Sequence, residues 1–298
     1  MGRFLVVLLV LAAAHLAAAS CPPPQTTRAD LFAIKAHDFV PWQGTADDWS
    51  IAMLDCLGDP DPALRDGVVF ESISYWLRND ALTDPTIRTL AVHLRSQLGD
   101  PDPLGFTRPF AALLLAEVAR RDRLKAVLSP TARNALVSAA AEYLASVTDY
   151  RGFDARAGWR HGVAHGADLV LQLAASPHLT ADQTHTLLDA VTVQIAPPGI
   201  AYVFGEPDRL ARAVFYLHRA GKLPAPVWRD WLAARIDPAP LPAWSAVWSD
   251  AAGLARRHDT RAFLLALLFL ADLGESEPDA TFAGQLRAAL EAMMAAGG

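Results

Sequence analysis

After residue 27, apolar residues recur at three- and four-residue spacings and almost never alternate strictly with polar ones; Trp49, Ala52, Met53 and Cys56 form one such set. That period belongs to one face of a helix, so the pattern predicts helices and hardly a strand. Helix starts are marked by their own chemistry. Thr45 stands three residues before Asp48, and Thr180 three before Gln183, both capping-box spacings. Asp61-Pro62, Asp84-Pro85 and Ser129-Pro130 each put a side-chain acceptor at the N-cap and proline at the first helical position, where its missing N–H costs nothing. Gly221, after Arg219 and Ala220, predicts a helix stop. The helices so predicted cover 28–39, 46–57, 62–79, 85–98, 108–122, 130–147, 158–174, 181–195, 207–220, 226–236, 243–257, 259–273 and 280–296.

Short turns rich in proline, glycine and aspartate join them, which makes neighbours antiparallel pairs. The expected fold is all-α: stacked antiparallel helical hairpins, a HEAT-like α-solenoid or α/α superhelix, with 28–298 as a single domain. The turn Gly58-Asp59-Pro60-Asp61-Pro62 resembles the turn of HEAT-type repeats, and Gly99-Asp100-Pro101-Asp102-Pro103 echoes it about 40 residues later.

A basic start at Arg3, an apolar run from Phe4 to Ala14 and the small residues Ala17-Ala18-Ala19-Ser20 predict a secretory signal peptide over 1–20. The run is about half of the ~20 residues a membrane span needs. Ala18-Ala19-Ser20-Cys21 resembles a bacterial lipoprotein box, in which Cys21 is lipidated and becomes the new amino terminus; cleavage after Ala17-Ala18-Ala19 is the competing route. In that second case Cys21 is a thiol able to pair with Cys56 in an oxidising compartment. Residues 21–27 read as a tether. The expected location is the periplasm, free or through a lipid anchor at Cys21, with no other membrane attachment.

Composition narrows the chemistry. Of 298 residues, 52% are hydrophobic and 19% charged, which supports a sizeable core and excludes a disordered chain. With 26 basic against 32 acidic residues, the formal net charge of -6 gives no general surface for nucleic acid. Two cysteines exclude an all-cysteine zinc site. The phosphate loop, the dinucleotide fingerprint, the nucleophile elbow and the His-Glu-x-x-His helix are all missing.

One segment stands out. On a helix over 158–174, His161, His165, Asp168 and Gln172 share roughly 60° of arc at about 100° per residue, while the rest of the circumference is apolar. Gly162 and Gly166 leave a smooth strip for another helix. Two histidines one turn apart can chelate one divalent metal such as zinc, with Asp168 adding an oxygen and one position left open for water. The same stripe also suits a metal-free polar ligand or acid–base site, or two core histidines that fix the helix by hydrogen bonds. Around it, Asp154 and Glu206 are the candidates for a base or a fourth ligand, and Arg151, Gln172 and Arg209 for a ligand groove. Glu206 and Asp208 also suit a helix start by charge alone. Arg65, Asp66, Glu71 and Arg108 are expected in inter-helix ion pairs. Trp228, Trp231, Trp244 and Trp248 are expected in the core or a groove wall, with a sugar platform as the other reading.

The segments TRPFAALLLAEVARRD, DYRGFDARAGWRHGVAHGADLV and YVFGEPDRLARAVF together resemble the bacterial domain-of-unknown-function family numbered 2785, over roughly residues 45–270. Pro109 stands where that family's fifth-helix motif has serine. The resemblance implies an all-helical domain and brings no reaction with it. The expected function is therefore an envelope binding or scaffold domain, whose partner is an envelope protein or a small polar ligand; the rival is a metal-dependent hydrolase built on His161, His165 and Asp168.

Overall fold

A computed structural model describes residues 21–296, so the signal peptide predicted over 1–20 lies outside the described residues. Thirteen α-helices follow in order: α1 (Arg28–Ala36), α2 (Ala46–Ala52), α3 (Pro62–Leu64), α4 (Glu71–Arg78), α5 (Asp84–Gln97), α6 (Thr107–Leu124), α7 (Pro130–Ser146), α8 (Gly162–Ala174), α9 (Ala181–Val193), α10 (Glu206–Arg219), α11 (Ala225–Ile236), α12 (Ala251–Asp272) and α13 (Glu277–Ala296). The strands β1 (Phe153–Asp154) and β2 (Gly158–Trp159) form a small antiparallel hairpin. Helices α4, α6, α8, α10 and α12 pack side by side in one layer; α5, α7 and α9 form a second, and α11 with α13 covers the C-terminal end. The fold is an all-α helical superhelix. Among the described residues no helix is long and apolar enough to cross a membrane.

Local capping explains where most helices begin. Thr27, Thr45 and Thr180 each close a complete capping box, Ser129 caps α7 and Asp61 caps α3. At α5 the cap is Thr83, whose hydroxyl accepts from the Thr86 amide, and Asp84 is the first helical residue. Gly221 stops α10 with a φ of 65°. The span 62–79 is not one α-helix, because α3 passes into a π-helical turn over Arg65–Phe70 before α4. The predicted pair 243–257 and 259–273 is instead a 3₁₀ turn, Trp244–Ser249, followed by α12 alone. Asp250 starts α12 by accepting from the Ala252 and Gly253 amides, and no glycine or proline interrupts it near residue 258.

Helices of one layer alternate with antiparallel partners, so α6, α8 and α10 begin at the same end of the stack. Helix α8 is buried along most of its length, Asp168, Leu171 and Gln172 excepted. Gly166 provides the close approach expected of it: a Cβ there would sit 2.9 Å from Leu144 and 3.1 Å from Tyr143 of α7. The expected ion pairs form in part. Glu71 of α4 pairs with Lys35 of α1, whereas Arg65 pairs with its chain neighbour Asp66 within one turn and Arg108 binds the Leu98 carbonyl and the Ser146 hydroxyl. Trp228 and Trp244 are buried, and Trp248 is exposed.

At the N-terminal end the chain takes one of the two alternatives open to Cys21. Cys21 is disulfide-bonded to Cys56, and one sulfur cannot carry both that bond and a lipid thioether. Within residues 21–27 Pro23 is buried, and Thr27 leads directly into α1.

Candidate functional site

The site lies where the segments preceding α6, α8 and α10 meet. Before α8 the chain folds back as the β1–β2 hairpin, with Phe153 opposite Trp159 and Asp154 opposite Gly158. The Asp154 carboxylate accepts from the Arg156 and Ala157 amides, and Gly158 turns with a φ of 72°, a conformation that favours glycine. Asp154 is the turn residue of the hairpin. Residues 158–161, expected to be helical, belong to this hairpin and to its exit.

Arg65 anchors the hairpin from 92 residues away. Its side chain is fully buried and donates to the carbonyls of Asp59, Ala157 and Trp159, while the guanidinium lies 4.0 Å from the Phe106 ring centroid and 4.9 Å from that of Phe110. The backbone pairing continues past β2, with the Arg160 amide donating to Gly152 and the His161 amide to Arg151. His161 then adopts left-handed angles, φ 58° and ψ 39°, and α8 starts behind it without a side-chain cap. A non-glycine residue held there is uncommon, although histidine tolerates it better than most.

That backbone turn aims the imidazole across the helix layer. His161 Nε2 lies 3.1 Å from the Phe204 carbonyl oxygen and 3.8 Å from Glu206 Oε1, and its ring stacks on Trp159 at 4.6 Å with 16° between the planes. Glu206, at the first position of α10, is buried and accepts from the Phe204 amide. One turn along α8, His165 Nδ1 lies 3.2 Å from the Pro109 carbonyl oxygen, and its ring meets Phe110 edge-on; the two imidazole centroids are 5.7 Å apart.

Burial sets the electrostatics. It pushes His161 down to about 4, helped by Arg209 and opposed by the Phe204 carbonyl; it pushes His165 down to about 3, with His161 and Arg209 adding to the effect. Burial also raises the carboxyl of Glu206, and that of Asp168 against the pull of Arg209. Both imidazoles are thus neutral at pH 7. Each gives its proton to a backbone carbonyl, so His161 Nδ1 and His165 Nε2 carry lone pairs and act as acceptors.

The three-ligand chelate is not assembled. Asp168 is held by Arg209 at 2.5 Å, each histidine spends a ring nitrogen on a carbonyl, and among the described residues no group of three or more His, Cys, Asp and Glu is placed to hold a metal ion. Of the proposed groove residues, Arg209 does reach the stripe. Gln172 accepts from Arg123 farther along α8, and Arg151 is paired with Asp149 outside the histidine site.

Sequence spacing does not reveal the aromatic wall. Phe153, Trp159 and Phe204 show 52%, 37% and 37% of their surface, against 1–2% for the core rings Phe106 and Phe110. Phe153 and Phe204 flank Trp159 at 5.1 and 6.1 Å. The signal in the sequence is the pair Gly152 and Gly158 bracketing a turn-forming aspartate, which lifts Trp159 off the helix where periodicity had put it.

The chain matches the model of the family described as "Protein of unknown function (DUF2785)" over residues 91–269. It belongs to that family. The DUF2785 match runs from α5 into α12 and contains the hairpin, both histidines, Glu206 and Arg209, but neither Arg65 nor the disulfide. No curated protein and no solved structure matches the chain.

Proposed function

We propose that this protein is an exported binding domain that holds a small polar ligand with a flat apolar face, a sugar ring being the simplest case, against Trp159. The observation that carries this reading is the exposed cluster of Phe153, Trp159 and Phe204 closing around His161. Aromatic faces stack on the apolar face of a ring, and a contiguous exposed group of them marks a binding surface more than three scattered rings would. The two lone-pair nitrogens and the Asp168–Arg209 pair supply acceptors and donors for hydroxyl groups beside it. Export is supported by the leader-like pattern of 1–20 and by a disulfide of the kind that persists in oxidising compartments.

Ligand-observed NMR with glucose, N-acetylglucosamine and their disaccharides tests the reading. Saturation transfer to one face of a sugar ring is expected in the native protein, with affinity falling about tenfold or more in Trp159→Ala, equivalent to about 1.4 kcal/mol or more. Absence of transfer to any of these sugars, or transfer that Trp159→Ala leaves unchanged, overturns it.

A further inference from the structure

Beside the histidine site, and distinct from it, lies a cavity of about 190 Å³ between the α5–α6 loop, α7 and the approach to α8. Arg108, Arg160, Tyr143, Thr148, Asp102 and Asp149 line it. Its two carboxylates are already committed inside the protein. Asp102 accepts from the amides of Gly105, Phe106 and Arg108, which fixes the start of α6. Asp149 accepts from the amide, Nε and Nη2 of Arg151.

The two lining arginines are differently placed. Arg108 uses Nε on the Leu98 carbonyl and Nη2 on the Ser146 hydroxyl; Arg160 uses Nε on the Leu104 carbonyl and stacks over Phe106 at 4.3 Å. Neither forms an ion pair among the described residues, in contrast to Arg151, which pairs with Asp149. A guanidinium carries five N–H donors, so an arginine braced through Nε still presents its terminal groups in a fixed orientation. Arg108 and Arg160 share the lining with Asp102 and Asp149, but Arg151, from outside the lining, takes up the charge of Asp149, so that the two lining guanidinium groups are opposed by Asp102 alone. Donors outnumber acceptors there, and the positive charge lies in a recess. That is the complement of an oxyanion, which arginines recognise through paired hydrogen bonds.

We propose that this cavity binds the oxyanion of a small acid, phosphate or carboxylate, between the guanidinium groups of Arg108 and Arg160. Inorganic phosphate and succinate are the probes. Each is titrated calorimetrically into the disulfide-bonded chain from Cys21 onward, in a buffer of low ionic strength, and the phosphate arm is repeated by ³¹P NMR. Saturable one-to-one binding of at least one probe is expected, and the tighter of the two identifies the head group. Arg108→Gln/Arg160→Gln should weaken it roughly 10- to 100-fold, as expected for lost charge-assisted hydrogen bonds.

Because those arginines also brace loops, Thr148→Glu provides an independent variant. Thr148 is exposed on the cavity wall, and a carboxylate there should exclude the anion, while Thr148→Gln keeps binding. Trp159→Ala should bind the anion as the native protein does, which separates this site from the sugar reading. No saturable binding of either probe, or equal binding by native protein and Thr148→Glu, overturns the proposal.

Discussion

His161 and His165 are neutral because burial withholds solvent from the charged form, against the pull of the Phe204 and Pro109 carbonyls that accept from them. The consequence is a defined pH dependence. In the unfolded chain an imidazole takes up a proton near pH 6.5; in the fold His161 resists until about 4 and His165 until about 3. The unfolded state therefore binds more protons across that window, and stability is whole above pH 6.5 and falls as pH drops toward 4. For His161 alone the loss is on the order of 3 kcal/mol. Asp259 works the other way, since burial raises its carboxyl to about 6: its contribution is present at the acid end and is lost as pH rises through 6. Denaturant titrations of the native protein and of His161→Asn/His165→Gln between pH 4 and pH 8 isolate the histidine part, asparagine being tolerant of the left-handed backbone at 161. The variant is expected to lose most of the acid-side slope; equal slopes would mean that the imidazoles are charged or solvated in the fold.

Among the elements, the hairpin before α8 depends on a residue outside the family match. Arg65 closes a shell of three backbone carbonyls and pairs with Asp66, and no other side chain donates to the carbonyls of Ala157 and Trp159 among the described residues. Arg65→Met keeps most of the buried volume but leaves those carbonyls and the Asp66 charge without a partner, at a cost of about 3–5 kcal/mol. Equilibrium unfolding should show that loss, and hydrogen exchange should speed up first at the Arg160 and His161 amides, which close the hairpin onto Gly152 and Arg151. Uniform protection with the full destabilisation would make Arg65 a core residue and not the anchor of the hairpin. Dependence on distant residues also divides what is legible in the sequence from what is not. Caps are legible because donor and acceptor stand three residues apart, as at Thr45, Ser129 and Thr180, and one neighbour's competition suffices to move the cap from Asp84 to Thr83. The stripe of His161, His165 and Asp168 is legible for the same reason. Its partners are not, because Pro109, Phe204 and Arg209 arrive from other segments of the chain, and each takes a group that spacing alone assigns to a metal. Residues 158–161 carry a helical apolar period, yet Arg65 and the Asp154 turn hold them in the hairpin and its exit.

On the scale of the whole molecule, the disulfide ties the first described residue to the 3₁₀ turn Leu54–Gly58, bringing α1 and α2 into one closed loop. The cysteines are 35 residues apart, and closing a loop of that length removes unfolded-state entropy worth roughly 4 kcal/mol, so Cys21→Ser/Cys56→Ser should lower the unfolding free energy by about that amount. Both histidines should keep their environment, because their partners Pro109 and Phe204 belong to α6 and to the approach to α10, away from the disulfide. The same pair of sulfurs separates the two routes of maturation. A chain cut ahead of Cys21 and lipidated there would carry Cys56 as a free thiol, reactive once the protein is unfolded, and would gain the mass of its acyl chains. A chain with the disulfide shows no alkylation under denaturing conditions until it is reduced, and then takes up two labels. Mass spectrometry of the protein from its native host, with and without reduction, should give the second pattern; a lipidated terminus with one reactive thiol would mean that Cys21 leaves Cys56 in the cell, and that the N-terminal loop is held by packing of α1 alone.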